Sequence, residues 1–467
     1  MTAKWVLMMG IGLFVVALAI PARGQVDEQG WISLFDGSSF NGWKAAEKED
    51  ASTFTIKDGA IVARGPRNHL FYVGPVQYHD FRNFELKVDV KAEANSNGGI
   101  YFHTQYQDKD WPARGFEVQV CNDSYRRDPR KTGSLYKIVD IMNESPVKDN
   151  EWFTMHVIVQ GRHVVINVND KKVVDWTQTQ PPTPPIDVPE RVIDSGTFAL
   201  QGHDARSTVY YKNIRVKPLF PIVDYHLHAK GGLTIDDIAE FAKVHAIGAG
   251  VAVNCGVGFP TTNDQALQKA LDSFQGKPVY KAMQAEGREW VTMFSPEMIA
   301  KFDYVFTDSM TFTDQRGKRV RLWIANEVEV GDKQAFMDML VEKTVGILNN
   351  EPIDIYVNPT FLPDVIAKEY DTLWTDARMD RVIEAAVRNG VAIEINARYK
   401  LPSEKFLRKA KAAGAKFSFG TNNGGKDDLG DLAYSRLMAK RLELTAADMF
   451  VPKPDGQKPV QRKGLPR

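Results

Sequence analysis

The fold of the first half of the chain is indicated by residues 84–91, which read FELKVDVK. Apolar and polar side chains alternate strictly here, as they do in a β-strand with one buried and one solvated face. Six more strand-like runs follow, at 99–104, 115–121, 152–159, 163–168, 196–201 and 208–216. Turn-forming residues separate them, and no long stretch with a helical period interrupts the region. We therefore predict an all-β jelly-roll sandwich over residues 25–219.

The period of the apolar residues changes after Phe220. Short apolar strands now alternate with amphipathic helices, which is the pattern of an α/β fold with a parallel sheet. We count seven such strands, at 222–224, 250–254, 279–283, 304–307, 354–357, 391–395 and 416–419. This count favours a seven-stranded β/α barrel over an open sheet, and we assign it to residues 220–450. Residues 451–467 are rich in Pro, Lys and Gln and are predicted to be a loose tail.

The N-terminus has the pattern of a secretory signal peptide. Lys4 precedes an apolar run that ends at Ile20, and small residues follow at Ala22 and Gly24. The run is shorter than the roughly 20 residues that a membrane-spanning helix needs, so we predict that residues 1–24 are removed after export. We expect the mature protein in the periplasm or outside the cell, without a membrane span.

Length and charge exclude several classes of protein. The chain has 467 residues, which is more than one hydrophobic core usually serves, so a multidomain protein is expected. It carries 59 basic and 59 acidic side chains, which does not favour a surface that binds nucleic acid. Its two cysteines, Cys121 and Cys255, cannot form a disulfide framework. No motif for a nucleotide or organic cofactor is evident, nor is a protein partner.

Candidate functional residues of the first half lie on neighbouring strands. Glu117 and Gln119 are two apart and share one face of their strand, and Tyr101 and His103 do the same on the preceding strand. A carboxylate, an amide, a phenol and an imidazole on one sheet face can bind a sugar and supply an acid/base pair. His203, at a later strand end, is a further acid/base candidate. The alternative is that these groups simply line the solvated face of a sandwich.

Several short segments, taken in order, resemble the 3-keto-disaccharide hydrolase family. They are residues 33–37 (SLFDG), 41–43 (NGW), 56–59 (IKDG), 97–102 (NGGIYF), 115–120 (GFEVQV), 132–136 (TGSLY) and 211–216 (YKNIRV). The resemblance spans residues 31–217 and implies a concanavalin-like sandwich with a concave sheet that faces sugar. It also implies secreted attack on glycosides that are oxidised at carbon 3.

A ketone at carbon 3 acidifies the proton on carbon 2 of the sugar. Glu117 or His103 could remove that proton, the aglycone would leave carbon 1 by elimination, and water would add back. Direct displacement would need a second carboxylate, which is not evident in the sequence. We predict three catalytic and three substrate-binding residues: Glu117, His103 and His203 in the first group, and Tyr101, Gln119 and Tyr136 in the second.

The barrel opens with residues 224–228, which read DYHLH. His226 and His228 are two apart at a strand end, where both imidazoles can face one metal ion. Glu286, Glu289 and Asp308 lie at later strand ends. We predict a single divalent metal of unidentified kind, held by the two histidines and one or two of these acids. A barrel that has lost its catalytic function is the alternative.

This motif, the seven-strand count and residues 419–424 (FGTNNG) resemble the polymerase-and-histidinol-phosphatase (PHP) family. The resemblance spans residues 221–450 and implies a metal-dependent phosphoesterase barrel. The chain departs from it because none of the nine histidines follows His245, and residues 422–424 (NNG) replace the family's final Asp-x-His. A neutral amide holds a divalent ion less well than carboxylate or imidazole does, so we do not expect a three-metal centre.

We interpret the chain as an exported carbohydrate-active hydrolase that cleaves 3-keto-glycosides in its sandwich, with the barrel as an accessory. Two alternatives remain open. In the first, the sandwich is a glycan-binding module that delivers a metal-dependent hydrolase, phosphoesterase-like or amidohydrolase-like, to its substrate. In the second, both parts bind carbohydrate and neither is an enzyme.

Overall fold

The computed structural model describes residues 26–47, 51–122, 128–314 and 316–466. The predicted signal peptide, residues 1–24, lies outside the described residues. Within these ranges, no helix has the length and apolar character that crossing a bilayer requires.

The described residues before 219 contain thirteen strands that form two antiparallel sheets. They are β1 (Ile32–Ser33), β2 (Trp43–Ala45), β3 (Phe54–Lys57), β4 (Ala60–Ala63), β5 (Asn68–Tyr72), β6 (Phe84–Ala92), β7 (Asn97–Thr104), β8 (Phe116–Cys121), β9 (Phe153–Gln160), β10 (His163–Val168), β11 (Lys171–Thr177), β12 (Thr197–Gly202) and β13 (Val209–Pro218). One sheet has the order β11-β10-β9-β6-β13-β4-β3, with β1 paired to β13, and the other has the order β2-β5-β12-β7-β8. The predicted antiparallel sandwich is therefore confirmed.

The alternation along β6 is the one that the sequence indicates. Phe84, Leu86, Val88 and Val90 are each at most 1% exposed, and they share one apolar core with side chains of the second sheet. Strands β7, β8 and β12 are different, because they are buried along their whole length. One face of these strands packs in the core, and the opposite face lies beneath loops. Polar side chains on that second face form the candidate site of the sandwich.

The rest of the chain contains nine strands among the described residues, and seven of them close into a barrel. They are β14 (Val223–Leu227), β15 (Gly248–Cys255), β16 (Tyr280–Ala285), β17 (Tyr304–Thr307), β18 (Thr311–Thr313), β19 (Arg319–Arg321), β20 (Ile355–Tyr356), β21 (Ala392–Asn396) and β22 (Phe417–Gly420). The barrel order is β14-β15-β16-β17-β20-β21-β22, and every neighbouring pair is parallel. The predicted number of seven parallel barrel strands is confirmed. The hairpin of β18 and β19 was not predicted.

Eleven α-helices of the described residues lie in the connections and after the last strand. They are α1 (Ile235–His245), α2 (Asp264–Asp272), α3 (Trp290–Met293), α4 (Pro296–Ile299), α5 (Lys333–Asn350), α6 (Asp364–Ala367), α7 (Tyr370–Leu373), α8 (Asp376–Asn389), α9 (Glu404–Ala412), α10 (Ala433–Arg441) and α11 (Pro459–Lys463). Local sequence determines where helix α1 begins, because Thr234 and Asp237 form a reciprocal capping box at its start.

The predicted loose tail is wrong for its last part. Helix α11 begins with a proline at its first position, where no backbone donor is required. Val460 in this helix is 3% exposed and packs against the main barrel core. Lys458 Nζ also donates to the carbonyl of Ala300 at 2.6 Å. Average composition missed the helix because it does not show that Pro459 and Val460 are buried.

A turn of the sandwich contacts the barrel directly. Gln77, Tyr78 and His79 all have left-handed backbone, with φ of 50°, 56° and 45°, which is costly for residues with side chains. The Tyr78 hydroxyl donates to the carbonyl of Gly430 at 3.0 Å, and Arg436 pairs with nearby Asp80 at 3.0 Å. These contacts between the two parts hold the turn in its strained conformation.

We expect Gly250→Ala to destabilise the barrel. A Cβ atom at this position would lie 1.9 Å from the hydroxyl of Tyr304, which is fully buried and donates to the carbonyl of Tyr225 at 2.6 Å. Overpacking of this kind costs roughly 1–3 kcal/mol of unfolding free energy, measurable by urea denaturation. Gly346→Ala is the matched control, because a Cβ there meets no atom within 4 Å. Within helix α5 it should stabilise by up to about 1 kcal/mol. Equal effects of the two substitutions would contradict this account.

Candidate functional site

A cavity of about 350 Å³ opens on the outer face of the five-stranded sheet. Tyr101 on β7, Glu117 and Gln119 on β8, and Gln201 on β12 line it. These strands are neighbours in the order β12-β7-β8, so their side chains meet on one face. Loop residues close the sides of the cavity. The prediction that Tyr101, Glu117 and Gln119 share a face is confirmed.

Glu117 lies at the centre of a hydrogen-bonded group. The Tyr101 hydroxyl donates to Glu117 Oε2 at 2.9 Å, and Gln201 Nε2 donates to Glu117 Oε1 at 2.8 Å. The guanidinium of Arg191 lies 3.6 Å from the same carboxylate. Gly99 makes room for it, because a Cβ atom there would come within 2.8 Å of Glu117 Oε1. The carboxylate is thus held in one position while it still lines the cavity.

Burial controls the protonation of the Glu117 carboxylate. It raises the pKa of Glu117, although Arg191, Tyr101 and Gln201 all act in the opposite direction. Burial also raises the pKa of Tyr101 well above its ordinary value, and the neighbouring Glu117 carboxylate adds to this effect. Tyr101 therefore stays protonated as a donor, while Glu117 has the raised basicity that suits a proton acceptor.

Three residues that line the cavity carry a buried amide oxygen without a hydrogen-bond partner in the described part of the chain: Asn97 Oδ1, Gln119 Oε1 and Gln201 Oε1. A buried polar atom without a partner costs about 1–3 kcal/mol. Water or the hydroxyl groups of a ligand would supply the missing donors.

His203 and Trp111 form another wall of the cavity. His203 Nδ1 lies 2.9 Å from Asp204 Oδ2. Burial acts against the ionised form of Asp204, yet hydrogen bonds from His203 and from the backbone N–H of Arg206 hold its pKa below the ordinary value. An ionised Asp204 can only accept, so His203 carries its proton on Nδ1. Trp111, 42% exposed, packs with its ring centroid 5.3 Å from that of His203.

Tyr136, predicted to bind substrate, also lines the cavity. Its ring lies beneath the guanidinium groups of Arg130 and Arg191, at 5.0 and 5.4 Å from the ring centroid. Burial raises its pKa to about 12, and the carboxylates of Asp128 and Glu117 add to that shift. Tyr136 is therefore a neutral phenol against two cations.

His103 does not lie where alternation along its strand predicts. Its backbone is left-handed, with φ of 55°, and the pairing of β7 with β12 is irregular between Thr197 and Ala199. The irregularity turns the imidazole away from the face of Tyr101, so that it packs 5.7 Å from the core residue Phe84. His103 is not among the described residues that line the cavity.

Both ring nitrogens of His103 are used by the backbone. Nε2 donates to the carbonyl of Arg82 at 2.9 Å, and Nδ1 accepts from the N–H of Asp194 at 3.4 Å. Burial lowers the pKa of His103 to about 4. These contacts give His103 a structural role and do not favour the predicted catalytic one.

Arg191, Gln201 and Trp111 were not predicted as site residues. Gln201 could have been found, because it lies on the strand that precedes His203. Arg191 and Trp111 come from loops without periodicity, and only the tertiary fold brings them to Glu117 and His203.

At the barrel mouth, His226 and Glu394 form a buried pair, with His226 Nδ1 2.6 Å from Glu394 Oε1. Glu394 Oε2 accepts from the backbone N–H of Asn358 at 2.7 Å and from Asn396 Nδ2 at 3.0 Å. His226 Nε2 has no partner in the described residues. An imidazole that donates to a carboxylate and leaves its other nitrogen available has the arrangement of a metal ligand.

The remaining predicted ligands do not complete a metal site. His228, Glu286 and Asp308 line a second cavity at the barrel mouth. Among the residues that the structure describes, no three His, Cys, Asp or Glu side chains converge as a ligand set would. Glu289 lies outside the second cavity and accepts from the hydroxyl of Thr313 at 3.2 Å. The residues present therefore do not fit the predicted metal in this arrangement.

The acids at the barrel mouth are instead bonded to protein groups. Glu286 accepts from Gln284 Nε2 at 2.7 Å and from the Thr311 hydroxyl at 3.1 Å. Asp308 accepts from Asn358 Nδ2 at 2.8 Å. Burial raises the pKa of Glu286 to about 8, and the nearby Asp308 carboxylate adds to this effect. Burial raises the pKa of Asp308 as well.

The first part of the chain is similar to known proteins. Residues 30–217 match the family described as a 3-keto-alpha-glucoside-1,2-lyase-like domain. A 3-keto-disaccharide hydrolase of Bacteroides thetaiotaomicron is 29% identical over 178 residues, which is 33% of this chain and 61% of that protein. The chain thus spans less than two thirds of this relative. Residues 30–217 form a 3-keto-disaccharide hydrolase-like domain.

Solved structures are also similar to this part. A candidate glycosyl hydrolase from Parabacteroides distasonis is 26% identical, with a TM-score of 0.36, and the match covers 41% of this chain and 94% of that one. A carbohydrate-binding module from Bacillus subtilis is 14% identical, with a TM-score of 0.27 and coverage of 38% and 96%. The resemblance of the barrel to the PHP family stays a prediction.

We expect Glu117→Gln to stabilise the protein increasingly as the pH rises. Because burial raises the folded-state pKa of Glu117, its contribution to stability is fully present below the unfolded pKa of about 4 and is lost as the pH rises through the folded pKa. Glutamine stays neutral, so the difference in unfolding free energy between variant and wild type should grow from acid to neutral pH. Urea denaturation across this range measures it.

The exposed Glu151 provides the control. Glu151→Gln should give a difference from wild type that barely changes with pH. A difference for Glu117→Gln that is equally flat, or that falls with pH, would show that burial does not raise this pKa.

Proposed function

We propose that the sandwich cleaves 3-keto-glycosides by elimination followed by hydration, with Glu117 as the base. The observation that carries the proposal is a buried carboxylate fixed by Tyr101 and Gln201 in a cavity with three unpartnered amide oxygens. The comparisons support the substrate class, because the relative is a 3-keto-disaccharide hydrolase and the family is described by a 3-keto-alpha-glucoside. The word lyase in the family description supports elimination across carbons 1 and 2.

In the first step, Glu117 takes the proton from carbon 2, which the neighbouring ketone acidifies. The electron pair of that C–H bond forms the C1–C2 double bond, and the C1–O bond to the aglycone breaks. Arg191, beside Glu117 and 7% exposed, stabilises the negative charge that develops on the ketone oxygen. In this proposal His203 begins doubly protonated: its Nδ1–H stays bonded to Asp204 at 2.9 Å, which orients the ring, and its Nε2 proton passes to the departing oxygen.

In the second step, water adds to carbon 1 of the unsaturated sugar. His203 accepts a proton from this water, and Glu117 returns its own proton to carbon 2. The net reaction is hydrolysis of the glycosidic bond, and both residues end in their starting protonation states. Water is the only co-reactant, and no step uses a metal.

We propose that the protein acts after export, in the periplasm or outside the cell, where glycosides are accessible, and that carbohydrate is its substrate. The barrel is an accessory part. Its candidate metal residues do not converge, which gives no support to the alternative of a metal-dependent barrel served by a passive sandwich.

Glu117→Gln should strongly slow cleavage of a 3-keto-glucoside that carries a chromogenic aglycone. Losing the base should lower kcat by roughly 10²–10⁴-fold, because general-base catalysis contributes that much. Release of the aglycone measures the rate. Glu85→Gln is the matched control and should leave the rate unchanged. Glu85 is also a glutamate on a strand and is bonded to His156 at 2.9 Å, but it lies on the other sheet. Undiminished cleavage by Glu117→Gln would overturn the proposed role of Glu117.

Elimination should leave an isotopic mark on the sugar. In D₂O the product should carry deuterium at carbon 2, because Glu117 exchanges its proton with solvent before it returns one. Direct displacement at carbon 1 would leave that hydrogen in place. NMR of the sugar released in the first turnovers distinguishes the two mechanisms. Free product incubated with the Glu117→Gln variant corrects for spontaneous exchange next to the ketone.

A further inference from the structure

The cavity at the barrel mouth has a volume of about 260 Å³. Gln284, Glu286, Asp308 and Asn358, which line it, follow or end the barrel strands β16, β17 and β20. The ends of parallel strands are where barrel proteins commonly bind ligands. The volume lies just below the roughly 300–1,000 Å³ of pockets for drug-sized molecules, so one small ring fits better than an oligomer.

The polar groups of this cavity are fixed before any ligand arrives. Asn358 Oδ1 accepts from Asn396 Nδ2 at 3.0 Å and from Asn422 Nδ2 at 3.1 Å, while its own amide nitrogen donates to Asp308. Gln284 donates to Glu286 in the same way. The amides and carboxyl groups therefore present further donors and acceptors in defined directions.

One of these groups has an unmet hydrogen bond. Gln284 Oε1 has no partner within the described ranges, although the residue is only 7% exposed. Because Gln284 lines the cavity, a hydroxyl group of a ligand would satisfy this oxygen and remove the cost of its burial.

The rim of the cavity is aromatic. Trp323, directly after the β18–β19 hairpin, is 40% exposed, and Tyr399 packs 5.0 Å from the ring of Phe361. Phe259 lines the cavity as well. The faces of pyranose rings carry C–H groups that pack against such rings, while their hydroxyl groups pair with amides and carboxylates.

The charges of the cavity favour a neutral ligand over an anion. Two acids, Glu286 and Asp308, and two cations, Lys230 and Arg398, line it, so their formal charges cancel. The backbone N–H groups of Gly424 and Gly425 donate to Asp428 at 2.7 and 2.9 Å, so they are not available to a phosphate. The cation Arg398 lies 3.6 Å from the same Asp428 carboxylate. The Asp428 carboxylate thus occupies the place in this glycine loop where an anionic ligand would bind.

We infer that the barrel mouth is a second carbohydrate site, which binds one neutral pyranose ring and requires no metal. The unpartnered Gln284 oxygen, the fixed amides and the aromatic rim carry the inference. It depends only on residues of the barrel and stands whether or not the sandwich cleaves 3-keto-glycosides.

Calorimetric titration of the full-length Glu117→Gln variant with D-glucose, D-galactose and D-mannose tests the inference. At tens of millimolar sugar, at least one should bind, and a chelator should not weaken it. Adding Trp323→Ala or Gln284→Ala should weaken binding by about tenfold, the upper end of one aromatic contact or hydrogen bond. Trp152→Ala is the control, because this tryptophan is also 40% exposed but lies in the sandwich.

The outcomes separate clearly. Binding that depends on Trp323 and Gln284, but not on Trp152, supports the barrel site. Absence of binding by all three sugars overturns the inference, as does binding that neither barrel substitution changes or that a chelator abolishes. Displacement of the sugar by inorganic phosphate would show that the site prefers anions and would overturn the neutral assignment. Cleavage of a 3-keto-glucoside tests the sandwich independently.

Discussion

Glu117 has a buried carboxylate, and much of the first half of the chain is arranged to accommodate it. A carboxyl group with 6% exposure is stable only when hydrogen bonds and a nearby cation compensate for lost hydration. Tyr101 and Gln201 come from the strands that lie side by side with β8, and Arg191 comes from a loop. Each of these groups both stabilises the carboxylate and shapes the cavity around it. The same burial that requires compensation raises the pKa of Glu117, so the stability lost when Glu117 ionises and the proposed chemistry have one physical origin.

The barrel also contains buried acids, and side-chain amides compensate for their lost hydration. Glu394, Asp308 and Glu286 are buried at its mouth, and Asn358, Asn396 and Gln284 donate to them. These amides compensate for the lost hydration of the acids, and the sequence has no histidine after His245. The result is a buried polar surface with its own unmet hydrogen bond, at Gln284 Oε1 among the described residues.

Much of the fold could be predicted, because it depends on the period of apolar residues. The alternation along residues 84–91 gave the correct strand, and seven apolar runs gave seven barrel strands. The period also placed Tyr101, Glu117 and Gln119 on one face. It failed for His103, because an irregular pairing near Thr197 turned the side chain away. It also missed helix α11, where Pro459 and Val460 are buried, and the β18–β19 hairpin that precedes Trp323.

The sequence by itself determined the order of the elements, the two types of sheet and the residue types available for chemistry, because these depend on local side-chain pattern. Only the tertiary structure decided which of those residues meet. Arg191, Trp111 and Gln201 reach Glu117 and His203 through loops and strand pairings that link distant parts of the chain. The predicted metal residues fail to converge for the same reason, since ligand geometry depends on distances between strand ends. Periodicity fixes the face on which a residue lies, whereas long-range packing fixes its neighbours.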